Sequence, residues 1–185
     1  KSLTCAFQRG ISRSKILTCA KHFPGHGNCE IDSHLDLPEI HNDLSELEKF
    51  ELIPFKSLIK EGVNSVMIGH LLFPKIDPIY PATLSKRVVT DLLRKKLKYD
   101  GLVVSDALVM NAISNKYSSR SDSVMAFDAG IDLIMMPKNI DEAIDSLTDA
   151  FYSEKIPLER LHISRERRKK QLDLISNEND LEKEE

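Results

Sequence analysis

Four short apolar runs, each leading into a longer amphipathic segment, constrain the fold of this chain more than any other feature. The first, Ile16-Leu17-Thr18-Cys19-Ala20, ends at Lys21 and His22. A helix is expected from Leu44 to Glu61, with Ser45 and Glu48 spaced as a capping box and Gly62 as the stop. Asn64 to Gly69 reads as the second strand, after which Pro74, Pro78 and Pro81 mark a rigid loop before a helix around Arg87 to Leu97. Gly101 opens the third run, Leu102-Val103-Val104, which leads into Ser105-Asp106. Ile131-Asp132-Leu133-Ile134-Met135-Met136 is the fourth, stopped by Pro137 ahead of a helix from Ile140 to Ser153. Such alternation is the pattern of a parallel sheet wrapped by helices, so the expected fold class is α/β with about four βα units.

Composition agrees with that class and removes several functions. The chain is 41% hydrophobic and 30% charged, and its 26 basic and 29 acidic residues leave a net charge of −3. That balance carries neither a nucleic-acid footprint nor a polyanionic character. Cys5, Cys19 and Cys29 are too few and too scattered for a disulfide framework, and a reducing cytoplasm is the simplest compartment. No apolar run reaches the roughly 18 residues of a membrane span, and no signal-peptide pattern is present, so no membrane partner is expected. No low-complexity linker divides the chain. Residues 1–165 read as one unit, and 166–185 as a terminal helix whose basic run, Arg165 to Lys170, gives way to an acidic, solvated end from Glu178 to Glu185.

The chemistry concentrates in Lys21-His22-Phe23-Pro24-Gly25-His26-Gly27, followed by Asp32-Ser33-His34. An Asp two residues before a His can accept from one ring nitrogen, fix the tautomer and stabilise the imidazolium, leaving the other nitrogen for proton transfer. Asp32 would orient and His34 would react, on a loop that Gly25, Gly27 and Asn28 allow to move over a bound ligand. Lys21, His22, His70 and Asp106 all fall where strands should end, which in a barrel is where catalytic groups collect. Competing readings exist for each. Asp106 could be an ordinary helix N-cap. Ser33 is adjacent to both Asp32 and His34 and cannot readily complete a triad with them. His22, His26, Cys29 and His34 match no standard zinc spacing, so no metal is expected, and His26 more simply braces the loop. His41 and His162 receive no role.

These motifs resemble the signature of the family 3 glycoside hydrolases, in their bacterial β-N-acetylglucosaminidase branch: Lys-His-Phe-Pro-Gly-His-Gly, four variable residues (here Asn28-Cys29-Glu30-Ile31), then Asp-Ser-His. Ser105-Asp106 with Met110 resembles the later nucleophile segment, and Val66 to His70 and Tyr80 to Ser85 look like the sixth strand and its following loop. The resemblance implies the C-terminal half of a (β/α)8-type barrel, because the first element is similar to the helix before the family's fifth strand. A complete barrel takes about 250 residues, and a chain of 185 beginning with Lys reads as N-terminally truncated.

The implied roles are Asp106 as nucleophile, His34 as acid/base, Asp32 as its support, and Lys21 and His22 as N-acetylglucosamine binders. The implied activity is retaining removal of terminal β-linked N-acetylglucosamine from a glycan or muropeptide in peptidoglycan recycling, with no cofactor. Ala107 departs from the second Asp that many members carry after the nucleophile. Three other readings stay open: a non-catalytic half-barrel that aggregates or pairs with another copy through its sheet edges, another family 3 glycosidase such as a β-glucosidase, and a phosphorylase, since His34 would not repel an anionic acceptor.

Overall fold

The computed structural model describes residues 2–14, 16–26 and 37–179. Asp32, Ser33 and His34, with Gly27, Asn28 and Cys29, lie outside the described residues, as does the tail from residue 180. Strands β1 (Cys19–Phe23), β2 (Ser65–Ile68), β3 (Leu102–Ala107) and β4 (Leu133–Met135) form one parallel sheet in the order β1-β2-β3-β4. Spatial order equals chain order, so each crossover advances one position without reversal. That is the winding of a (β/α) barrel rather than of a doubly wound sheet, whose order turns back at a switch point.

Helix α1 (Ser2–Ser12) precedes β1, while α2 (Leu44–Lys49) and α3 (Leu52–Lys60) connect β1 to β2. A π-type helix, Arg87–Lys96, connects β2 to β3. Helices α4 (Asn111–Ser114) and α5 (Ser119–Ala129) join β3 to β4, and α6 (Ile140–Tyr152) and α7 (Leu158–Asn179) follow. None of the described helices is long and apolar enough to cross a membrane.

Local chemistry accounts for the departures from the sequence reading. The segment 44–61 is two helices, not one. Pro54 lacks the N–H that would bond to the Phe50 carbonyl, and it sits instead in the first turn of α3, where no such bond is needed. The capping box is Asp43 with Glu46 rather than Ser45 with Glu48. Asp43 Oδ1 accepts the Glu46 N–H at 2.9 Å, Glu46 Oε2 accepts the Asp43 N–H at 2.7 Å, and Ser45 donates to Asp43 at 2.8 Å. Gly62 ends α3 as expected, with φ of 77° and the Val63 N–H bonded back to the Leu58 carbonyl at 3.0 Å. The first strand lies later than the apolar run suggests, with Lys21 and His22 inside it, because the ladder continues to the Phe23 carbonyl, which accepts from Gly69 at 3.0 Å. The terminal helix begins at Leu158, upstream of the basic run.

The sheet packs against its helices through Phe23, Val66, Ile68 and Val103, all at 0% exposure. Phe23 meets Phe55 of α3 edge-on at 5.2 Å between ring centroids. Burying a side chain of this kind contributes about 1.5–3 kcal/mol, so β1, which carries His22, is held against α3 by its own next residue. A smaller cluster of Val124, Phe127, Ala150 and Ile156 fastens α5 to α6.

Candidate active site

Parallel α/β sheets collect their chemistry at the C-terminal strand ends, where side chains stand clear of the hydrogen-bond ladder. β1 brings His22 to that end, β3 brings Asp106, and Gly69-His70 directly follows β2. His22 Nε2 stands 3.6 Å from Asp106 Oδ2, with side chains 30% and 18% exposed, so the pair is shielded yet open to a ligand. The approach depends on Gly69, where a Cβ would lie only 3.0 Å from the His22 Cβ.

The other carboxylate oxygen, Asp106 Oδ1, accepts the Ala107 N–H at 2.9 Å. One oxygen is thus engaged with the backbone while the second faces His22. Asp106 caps no helix: α4 starts at Asn111 with Met110 in the N-cap position. The ordinary structural explanation for an Asp at a strand-to-helix junction is therefore removed.

His70 is 1% exposed and bonded at both ring nitrogens, to Thr83 Oγ1 at 2.8 Å and to the Ala107 carbonyl at 2.9 Å. Burial holds its imidazole below the usual histidine range, outweighing the Ala107 bond and the negative charge of Asp106, which act the other way. Thr83 itself is fixed in a 3-10 turn, Ala82–Leu84. The loop leading to that turn is organised by buried Asp77, which accepts the Ile79 and Tyr80 N–H groups at 3.1 Å and the Ser85 hydroxyl at 2.6 Å. Sequence reasoning placed His70 at a strand end but gave no role to Thr83 or Asp77.

Lys21 is in β1 beside His22 and is exposed. Asp32 and His34 are outside the described residues, but the chain on either side of them is anchored at this end of the sheet. On one side the His26 ring lies 5.9 Å from the His22 ring, edge-on. On the other, Leu37 is buried, the Pro38 carbonyl accepts the Leu72 N–H at 2.9 Å, and the Ile40 N–H donates to the Leu72 carbonyl at 2.8 Å. Among the described residues no group of three or more His, Cys, Asp or Glu side chains could hold a metal ion. His41 is on the surface, its side chain 73% exposed.

Gly25, between β1 and His26, makes a backbone approach that no other residue could. Its φ is +141°, and a Cβ would stand 2.5 Å from the Glu51 Cβ at the start of α3. Gly25→Ala is therefore expected to lower stability by about 1–3 kcal/mol through strain and overpacking. Urea unfolding checks this; a loss below about 0.5 kcal/mol, within the range of an ordinary surface substitution, would show that the loop does not need this approach.

The arrangement offers one partly shielded carboxylate and an imidazole facing it, and the sequence between the described residues 26 and 37 adds an Asp–His pair, Asp32 and His34. Such a set suits attack on an electrophilic carbon with proton delivery to a leaving group. Residues 1–170 match the family described as "Glycosyl hydrolase family 3 N terminal domain". A β-hexosaminidase of Neisseria gonorrhoeae (strain NCCP11945) is 36% identical over 149 residues, covering 80% of this chain and 41% of the relative. Among solved structures, a glycoside hydrolase family 3 β-N-acetylglucosaminidase from Paenibacillus sp. str. FPU-7 is similar at a TM-score of 0.84 and 42% identity, covering 90% of this chain and 32% of that one. NagZ from Neisseria gonorrhoeae, in complex with N-trifluoroacetyl-D-glucosamine, is similar at a TM-score of 0.66 and 35% identity, covering 79% of this chain and 41% of that one. The chain spans about two-fifths of the length of the curated relatives it matches.

Proposed function

The chain belongs to glycoside hydrolase family 3, and from that premise we propose that it carries the catalytic end of a retaining β-N-acetylglucosaminidase barrel. The observation that carries this reading is Asp106: a carboxylate at a strand end, serving no helix, with one oxygen bonded to backbone and the other facing His22. The names of the relatives supply the sugar class.

In the proposed reaction Asp106 Oδ2 attacks the anomeric carbon of a terminal β-linked N-acetylglucosamine. The glycosidic C–O bond breaks, its electron pair leaves on the aglycone oxygen, and that oxygen takes a proton from the His34 imidazolium. Water, deprotonated by the now neutral His34, then cleaves the glycosyl ester and releases the sugar with its configuration retained. Asp32 fixes the His34 tautomer and favours its protonated form, so that an imidazole can serve where a second carboxyl is usual. Lys21 and His22 bind the sugar hydroxyls and N-acetyl group. Cytoplasmic muropeptides of peptidoglycan recycling are the substrates we favour, a compartment compatible with the free thiols of Cys5 and Cys19.

Release of p-nitrophenol from the N-acetyl-β-glucosaminide, compared with the β-glucoside, tests the sugar assignment; a preference for the glucoside refutes it. The acid/base assignment has its own test. His34→Ala is expected to slow substrates with poor leaving groups by about 10²–10⁴-fold, and activated aryl glycosides, which need little protonation, by less than about tenfold. Equal losses on both classes would remove His34 from the role.

A further inference from the structure

Asp106 is held by something other than its own strand. The Ala107 carbonyl accepts two hydrogen bonds, from the Met110 N–H at 3.0 Å and from His70 Nε2 at 2.9 Å. A carbonyl only accepts, so the Nε2 atom of His70 carries a proton. The ring is buried with no carboxylate bonded to it among the described residues, which favours the neutral form; Nδ1 is then an acceptor and takes the Thr83 hydroxyl proton. Thr83 Oγ1 also lies 3.0 Å from the Gly69 carbonyl and 3.4 Å from the Ile68 carbonyl; the nearer of the two already accepts the Leu71 N–H at 3.1 Å, so it keeps a partner when the hydroxyl turns toward His70.

The result is a directed chain: Thr83 O–H to His70 Nδ1, His70 Nε2–H to Ala107 C=O, and Ala107 N–H to Asp106 Oδ1. Both peptide groups flanking the Ala107 α-carbon are fixed, one by His70 and one by the carboxylate. All of these bonds at position 107 use backbone, so none depends on the side chain there. We propose that His70 is a positioning residue for the Asp106 carboxylate, acting through the Ala107 backbone and locked in its tautomer by Thr83. The proposal rests on the reading of Asp106 as nucleophile.

The test uses the full chain with 15N-labelled histidine and 13C-labelled aspartate. At pH 7 the ring-nitrogen shifts of His70 are expected to report the neutral Nε2–H form; an Nδ1–H or cationic ring overturns the wiring. The Asp106 carboxyl is then titrated in the unsubstituted chain and in His70→Gln and His70→Leu. The Gln amide can still donate to the Ala107 carbonyl, whereas Leu cannot. The Asp106 midpoint is expected to rise by about half a pH unit or more in His70→Leu, as its backbone bond loosens, and to stay within about 0.2 in His70→Gln. Equal midpoints in the unsubstituted and Leu chains overturn the proposal. Should His70→Leu not fold, Thr83→Val decides: a smaller rise with altered His70 ring shifts supports the chain of bonds, and no change in either refutes it.

In a chain that hydrolyses the aryl substrate, His70→Leu is expected to lower kcat about ten- to a hundredfold with KM within about twofold, and His70→Gln to restore most of it. A KM effect without a kcat effect contradicts positioning of the nucleophile. Failure of this activity arm bears on the glycosidase reading alone, and the titration judges His70 independently of it.

Discussion

Asp106→Asn is expected to reduce turnover of an aryl N-acetyl-β-glucosaminide by at least about a thousandfold, equivalent to about 4 kcal/mol of barrier, with little change in folding. Asn is nearly isosteric and its carbonyl oxygen can still accept the Ala107 N–H, the bond that Oδ1 makes at 2.9 Å. What is lost is the nucleophile and the charge facing His22, a partly exposed pair 3.6 Å apart whose removal costs little stability. The expected signature is a collapse of kcat, KM within a few-fold, and a thermal transition within about 2 °C of the unsubstituted chain. A positioning or structural Asp would give a different pattern, with modest kcat loss or a lowered transition. A second arm isolates nucleophilicity itself. In Asp106→Gly, azide can fill the vacated space and attack an activated glycoside from the same face, giving a glycosyl azide of inverted configuration. Residual Asp106→Asn activity above about a tenth of the original would end the nucleophile assignment.

The fold was more legible than the site, for reasons visible in particular residues. Val66 to Ile68 and Leu102 to Val104 are buried strands in parallel register, and buried strands of this kind read as continuous apolar runs. The apolar run places the first strand too early because Lys21 and His22 look like a polar boundary, whereas both lie inside β1. The break between α2 and α3 is legible in Pro54, although the amphipathic period runs across it. π-type winding in Arg87–Lys96 has no sequence signal that we can identify. Within the site, His22 and Asp106 are far apart in the chain, and their shared place at strand ends, not any spacing between them, is what the sequence offers for bringing them together. The link from His70 to Ala107 spans 37 positions and uses a backbone acceptor, so no side-chain pattern could announce it.

Asp132 was hidden in the same way, inside the apolar run of the fourth strand, and its replacement should have the largest effect on stability. The side chain is 0% exposed. Its Oδ2 accepts from Arg94 at 2.5 Å and from the Val103 N–H at 3.0 Å; its Oδ1 accepts from Arg160 at 3.0 Å, Ser164 at 2.8 Å and Arg167 at 3.3 Å. One carboxylate therefore ties the starts of β3 and β4 to the π-type helix and to α7, at the end of the sheet opposite Asp106.

In barrels that end serves stability rather than chemistry. Asp132→Ala would leave the cationic side chains of Arg94, Arg160 and Arg167 without their shared buried partner, and removing one member of a buried ionic cluster costs about 3–5 kcal/mol. For a chain of this size that lowers the thermal transition by roughly 10 °C. The cost comes from stranded cations, so it should be partly reversible. Adding Arg160→Met to Asp132→Ala removes one unpaired charge while retaining apolar contact with Phe127, over whose ring the guanidinium sits at 4.6 Å. The double variant is expected to be more stable than Asp132→Ala alone, although Arg160→Met by itself is destabilising. A double variant less stable than both single ones would mean that Asp132 acts through its Val103 bond and packing, not as the counter-charge of the cluster.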